Sequence, residues 1–317
     1  MQLIIHDGVL EKYIPEAGDE VIVIPESVTK IAKRAFSGTG IREVVFPDGL
    51  KEIGESAFEG CRSLQKADLP DSVTELGERC FAITDLKKIE IPPQIKVLKN
   101  GVFDGNMGYK ELTVPGTLQE IGELNFSANR GLRYVVVEEG VERIMRRAFN
   151  GNPELEELTL PKSVRFVDHL AFDGSGAPKH LTISGTNQKV WDEAFCGLQG
   201  LEDAVLEEGV EEIGVRSFAY CSHLRLVSVP DSLRKLSFRS FSGCTELREI
   251  RIPEGVEEIP DCAFYACKNL KKLCLPSSVK KIGKNAFYQC IRLSEITVPA
   301  DAEVAADAFE GCRLLGK

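Results

Sequence analysis

The chain predicts a β-rich solenoid, a stack of short coils rather than a globular domain, and three observations carry that prediction. Phenylalanine returns at Phe36, Phe58, Phe81, Phe103, Phe126, Phe149, Phe172, Phe195, Phe218, Phe241, Phe264, Phe287 and Phe309, each 22 or 23 residues after the last. Proline precedes nine of these rings by eleven residues, at Pro25, Pro47, Pro70, Pro92, Pro115, Pro161, Pro230, Pro253 and Pro276. Isoleucine precedes seven of them by five, at Ile31, Ile53, Ile121, Ile144, Ile213, Ile259 and Ile282. A fixed period in this range marks one supersecondary unit copied along an axis, because a single copy cannot bury its own apolar face. We number the coils 1 to 13 by their phenylalanines.

In chain order, the first element is a hairpin. Leu3 to Leu10 reads as two short strands about an Asp7-Gly8 turn. It assigns residues 1–19 to a cap over the first coil and 20–317 to the solenoid, whose ends need covering. Coil 12 shows the repeating unit in full. Leu270-Lys271-Lys272-Leu273-Cys274-Leu275 alternates with period two, which predicts a half-buried strand ended by Pro276. Val279 and Ile282 then lie three apart before Gly283, and Ala286-Phe287 follows. That spacing predicts a turn of 3₁₀ or α helix on the far side of the coil. Each coil should bury about five apolar side chains, and successive strands should pair in parallel about 4.8 Å apart.

The pattern Leu-x-x-Leu-x-Leu-Pro-x-x-Val-x-x-Ile-Gly-x-x-Ala-Phe-x-x-Cys resembles the BspA-type (Treponema pallidum-type) class of leucine-rich repeat, over about residues 20 to 315. Gly8-Val9-Leu10-Glu11-Lys12-Tyr13 resembles the lead-in of bacterial members. The resemblance implies a right-handed leucine-rich repeat coil of about 13 repeats with a parallel, concave strand face. It implies a bacterial protein whose relatives are mostly surface or binding proteins. It transfers no catalytic residue, because the motif contains none.

Composition narrows the function further. Forty-nine acidic against 39 basic residues give a net charge of −10, which argues against nucleic acid, whose phosphates demand a basic footprint. The opening Met1-Gln2-Leu3-Ile4-Ile5 lacks the charged and apolar regions of an export signal, and no run approaches the ~20 apolar residues of a membrane span. The expectation is a cytoplasmic protein with no membrane insertion, or a cell-surface one if an export signal precedes this sequence. Leu314-Leu315-Gly316-Lys317 stops inside a coil without an evident cap.

Six of the ten cysteines, Cys61, Cys221, Cys244, Cys267, Cys290 and Cys312, share one slot three residues after the phenylalanine. Thr39, Thr84, Asn106, Asn129, Asn152 and Ser175 fill it elsewhere, so the slot selects small side chains that can bond backbone. Stacked Cβ atoms about 4.8 Å apart are poorly placed for a disulfide, which wants about 3.8 Å. Free structural thiols are expected, and they favour a reducing compartment.

Chemistry-bearing motifs are few. His6, His169, His180 and His223 are scattered, and no His-Glu-x-x-His, Cys-x-x-Cys, Walker or Gly-x-Ser-x-Gly pattern occurs. Cys262, Cys267 and Cys274 come nearest to a metal set but occupy slots on different faces, so no metal, cofactor or catalytic residue is expected. Asn125-Phe126-Ser127 is formally a glycosylation sequon. Coil 8 is the one disturbed copy: Pro178 opens its strand, Ser184 replaces the proline, Asn187 the valine, and Trp191 takes the glycine slot. Either the coil loosens the stack, or Trp191 and His180 mark a recognition point, with Trp191 as an anchor.

Strand alternation predicts which residues face outward. The candidate binding residues are Glu43, Asp68, Glu90, Glu111, Tyr134, Val136, Glu138, Glu157, His180, Asp203, Val205, Glu207, Leu226, Glu249 and Arg251. With Glu295 added, ten carboxylates face four cations, Lys66, Lys88, Arg251 and Lys272, while Tyr134, Val136, Val205 and Leu226 form an apolar interruption. Such a face suits a protein or peptide partner, a basic one in particular. The predicted function is therefore a non-enzymatic protein- or peptide-binding scaffold; the alternative is a bacterial adhesion protein at the cell surface binding host ligands.

Overall fold

In a computed structural model, residues 2–176 and 178–315 are described; Met1, Ala177 and the closing Gly316-Lys317 pair lie outside them. The chain forms about thirteen turns of a parallel β-solenoid. Every coil runs through a first strand at the Leu-x-Leu block, a second strand of two residues and a series of turns; coil 4 lacks the first strand. Coil 12, for example, carries Lys272–Cys274 and Lys281–Ile282.

The helical turn expected after the isoleucine is absent among the described residues, and the hydrogen bonds explain why. In coil 1 the N–H groups of Arg34, Phe36 and Gly38 donate to the carbonyls of Glu55, Ala57 and Glu59 in coil 2, at 2.8–3.0 Å. The intervening N–H groups of Ala35, Ser37 and Thr39 donate three residues back inside their own coil. A helix would aim every N–H along its own axis and leave the next coil unbonded. Alternation requires left-handed backbone two residues before and two after the phenylalanine. Arg34 (φ 59°), Cys262 (φ 57°) and Asn285 (φ 54°) take the first position, and Gly38 (φ 73°), Tyr220 (φ 63°) and Gln289 (φ 55°) the second. Most coils put glycine at the second, where it costs least.

The coils group into two compact units, Met1–Val164 and Arg165–Lys317. The first unit opens with strand β1 (Gln2–His6) paired antiparallel to β2 (Val9–Ile14) across Asp7-Gly8, both at positive φ. Strand β2 imitates a coil. Its Leu10 pairs with Ile31 in parallel, Tyr13 N–H donates to Ala35 O, and the Tyr13 ring stacks on Phe36 at 5.1 Å. Tyr13 thus stands in the phenylalanine column. Burial, with the hydrogen bond and charge of Asp19, pushes its phenol up to about 12.

Above it, Phe36, Phe58, Phe81, Phe103, Phe126 and Phe149 stack at 4.8–6.0 Å between centroids. In the second unit Phe172, Phe195, Phe218, Phe241, Phe264, Phe287 and Phe309 stack at 5.2–5.8 Å. All but the last are fully buried. Around these columns lie the inward strand residues, as in coil 9 with Leu201, Ala204, Leu206, Val210 and Ile213.

Strand pairing along both ladders is interrupted in each unit. In the first unit the first strands pair through coils 1 to 3 and again through coils 5 to 7, while Lys88–Ile91 of coil 4 forms no strand. The second strands break between coils 3 and 4. Only the turn side binds coil 3 to coil 4 continuously, through Arg79, Phe81 and Ile83 N–H groups. The widest ring spacing in the first unit, 6.0 Å between Phe81 and Phe103, falls at the same level. Just above, Tyr109 fills a slot that leucine fills in coils 6 and 7, fully buried with its hydroxyl accepting from Asn129 Nδ2 at 2.9 Å.

Candidate interaction face

Alternation along the first strands holds throughout. In coil 6 the burial of Tyr134, Val135, Val136 and Val137 runs exposed, buried, exposed, buried, and coil 8 repeats this at His180–Ile183. Each coil therefore presents two outward side chains, and parallel register aligns them in two rows: Glu111, Tyr134 and Glu157 are direct neighbours, as are Thr113, Val136 and Thr159. In the second unit His180, Asp203, Leu226 and Glu249 form one row, and Thr182, Val205 and Ser228 the other.

Part of the acidity of this face is spent within it. Lys66 holds Glu43 at 2.8 Å and lies 3.8 Å from Asp68, and Lys88 pairs with Glu90. His180 pairs with Asp203, and Lys272 with Glu295 at 2.8 Å. Arg251 reaches sideways to Asp231 at 2.6 Å. Glu138 and Glu207 sit one residue past their strands. The Glu138 carboxylate accepts from Gly116 N–H at 3.0 Å. Among the described residues of the face, Glu111, Glu157 and Glu249 remain exposed with neither an ion pair nor a side-chain hydrogen bond.

Exposed apolar side chains punctuate the face: Tyr134, Val136, Val205 and Leu226, at 37–49% exposure. Sequence reasoning missed Val21 and Val23 of coil 1, which continue the rows of Glu43 and Val45 respectively. The signal is present in the sequence, since Val21-Ile22-Val23 has the same alternation ahead of Pro25.

Hollows mark where the strand ladder fails. One, of about 660 Å³, lies over coils 4 and 5, with Ile89, Ile91 and Leu112 as its floor and Lys88, Lys110 and Glu111 among its walls. Another of about 660 Å³ spans coils 10 to 13, lined by Leu226, Ser228, Glu249, Arg251, Lys272 and Cys274 among others. Between coils 11 and 12 the first strands are likewise unpaired.

On this face all four residues His180–Ile183 of coil 8 pair in register with Asp203–Leu206 of coil 9, while the ladder of second strands is interrupted between coils 7 and 8. Trp191 follows the second strand, Lys189–Val190, and so belongs to a different ladder from His180. It is half-buried, its indole N–H donates to Arg165 O at 2.9 Å, and its ring borders two hollows of about 530 and 570 Å³.

The cysteine slot does bond backbone. Cys61, Cys221, Cys244, Cys267, Cys290 and Cys312 each donate Sγ–H to the phenylalanine carbonyl of the preceding coil at 3.1–3.2 Å. Asn106, Asn129 and Asn152 serve the same place with a ladder in which Asn129 Oδ1 accepts Asn106 N–H and Asn152 Oδ1 accepts Asn129 N–H. Burial pushes the thiols of Cys80, Cys221, Cys244 and Cys267 far up. A buried thiol held neutral is inert in any compartment, so these cysteines do not discriminate a reducing one; Cys274, exposed on the strand face, is the thiol that would. Asn125 is fully buried, donating to Leu98 O and Lys99 O, so the sequon is inaccessible in the folded chain. Among the described residues no group of His, Cys, Asp or Glu gathers that could hold a metal ion, and no helix is long and apolar enough to cross a membrane.

The family model described as BspA type leucine rich repeat region, six copies, matches residues 19–133, 125–237 and 212–316. The chain belongs to this family, whose fold is generally a non-catalytic binding scaffold. A leucine-rich repeat protein from Bacteroides ovatus is similar at 25% identity and a TM-score of 0.72, over 90% of this chain and 83% of that one. A leucine-rich cell surface protein from Faecalibacterium prausnitzii shares the fold at 24% identity and a TM-score of 0.54, over 95% and 91%. So does the pneumococcal vaccine antigen PcpA, at 23% and 0.54, over 92% and 75%. No curated protein matches the sequence.

Proposed function

We propose that this chain is a non-catalytic scaffold that binds a protein or peptide through the outward face of its first strands. One observation carries the reading: two exposed side chains per coil stand in register on paired strands, forming extended rows of mixed apolar and charged character. Rigid rows of this kind recognise a surface or a segment, whereas catalysis needs a few groups converging on one reacting atom. A photo-cross-linking residue at Val136 or Leu226 should trap a partner in the native host, and one at Val97, on the second ladder, should not. Trapping from Val97 alone would overturn the reading.

A second reading places the protein at the cell surface, binding host ligands, rather than in the cytoplasm. Two structural relatives are described as a cell surface protein and a vaccine antigen, and the buried thiols would survive oxidising surroundings. Labelling of Cys274 by a membrane-impermeant thiol reagent on intact native cells separates the two, since a cytoplasmic protein stays unlabelled until lysis.

A further inference from the structure

We propose that the outward face of coils 5 to 7 docks an extended basic segment of a partner protein whose cationic side chains are three residues apart; this rests on the scaffold reading above. Charge changes character along the first unit. In coils 2 to 4 the cations Lys66 and Lys88 neutralise Glu43 and Glu90 on the face itself. From coil 5 the outward positions are Glu111 and Thr113, Tyr134 and Val136, Glu157 and Thr159, with no cation among them. Of the basic residues beside them, Arg133 is held by Glu156 at 3.4 Å, and Lys110 stands at the entry to the coil 5 strand. Glu111 and Glu157 are therefore uncompensated carboxylates on an exposed sheet face, and the complement of that charge is a basic partner.

Geometry narrows the partner further. Tyr134 lies between Glu111 and Glu157 in register, so the two carboxylates stand two strand spacings apart, about 10 Å. The Tyr134 hydroxyl donates to Glu156 at 2.8 Å, which anchors the ring tip, and 37% of the residue remains open. A cationic stem crossing it would meet the phenol and Val136 beside it. Polyproline II geometry rises about 3.1 Å per residue with three residues per turn, so residues i and i+3 share a side about 9 Å apart. That matches the carboxylate pair. A β-strand puts same-side residues about 7 or 13 Å apart and misses it.

Fluorescence anisotropy with labelled proline-rich peptides tests this directly. A peptide with lysines at i and i+3 should bind about tenfold more tightly than one with lysines at i and i+2. Its affinity should fall about tenfold in the Glu111→Gln/Glu157→Gln double variant and in Tyr134→Ala, and stay unchanged in Glu249→Gln. All four positions are exposed, and circular dichroism confirms the folded state of each variant. Equal binding of both peptides, tighter binding of a helical peptide with lysines at i and i+7, or indifference to the double variant would overturn the inference. So would the absence of peptide binding; a partner cross-linked at Val136 in that case would leave the scaffold reading standing.

Discussion

Phe218→Ala tests whether the ring column is the core of the second unit. Phe218 is fully exposed to no solvent, with Phe195 stacked at 5.6 Å on one side and Phe241 at 5.5 Å on the other. Truncating a buried phenylalanine costs about 3–5 kcal/mol. Each lost ring pair accounts for about 0.5–1.5 kcal/mol of such an effect. The backbone should not compensate, because the Phe218 carbonyl still accepts the Cys244 thiol and its N–H still donates to Ser240 O. Phe238 in the same unit is the control. It is 42% exposed, with Arg239 over its ring at 5.1 Å, so its truncation should cost less than about 1 kcal/mol. Trp191, the sole tryptophan, reports unfolding of this unit by fluorescence in a urea titration. A midpoint for Phe218→Ala equal to wild type, or a shift no larger than that of Phe238→Ala, would refute the account of the core.

Four further outcomes are expected. Tyr109→Phe removes the only side-chain acceptor shown for Asn129 Nδ2, so a buried donor goes unsatisfied and thermal melting should register a loss of about 1–3 kcal/mol. Hydrogen exchange should be faster at residues 88–91, which carry no backbone hydrogen bonds to either neighbouring coil, than at the equivalent residues of coil 6; equal protection would reject the break in the ladder. The Glu254 carboxylate accepts the backbone N–H groups of Ser277 and Ser278, and the Ser277 bond above all holds it below the ordinary glutamate range. Its stabilisation is complete above the unfolded-state value of about 4.3 and is lost as pH falls through the lower folded value, so Glu254→Gln should flatten the acid limb of a stability–pH curve. Finally, a thiol reagent should modify Cys274 fastest in the native protein, with the seven buried cysteines reacting only on unfolding; early loss of a buried thiol would contradict the packing.

How far the sequence reached differs from slot to slot. Phe36 through Phe309, with their prolines and isoleucines, determined the solenoid, because a 22- or 23-residue period has no other way to bury its apolar set. The outward rows followed from alternation alone, since side-chain direction in a strand is local geometry. Even the thiol slot was legible as a backbone-bonding position, because Cys, Thr and Asn there share little else.

Tertiary structure decided what depends on the neighbouring coil. Ile282-Gly283 to Phe287 has helical spacing, yet its N–H groups alternate between its own coil and the next, and only stacking reveals that demand. The odd residues of coil 8 suggested a loosened stack or a recognition point, and the second-strand ladder is interrupted beside that coil, between coils 7 and 8. Stacking adds breaks that the sequence does not signal, at coils 3 to 5 in the first unit and at coils 10 to 12 in the second. The face read as broadly acidic resolves into carboxylates matched by cations a full coil away in sequence, leaving Glu111, Glu157 and Glu249 free. Composition fixes how much charge a solenoid carries; register fixes which of it is left over for a partner.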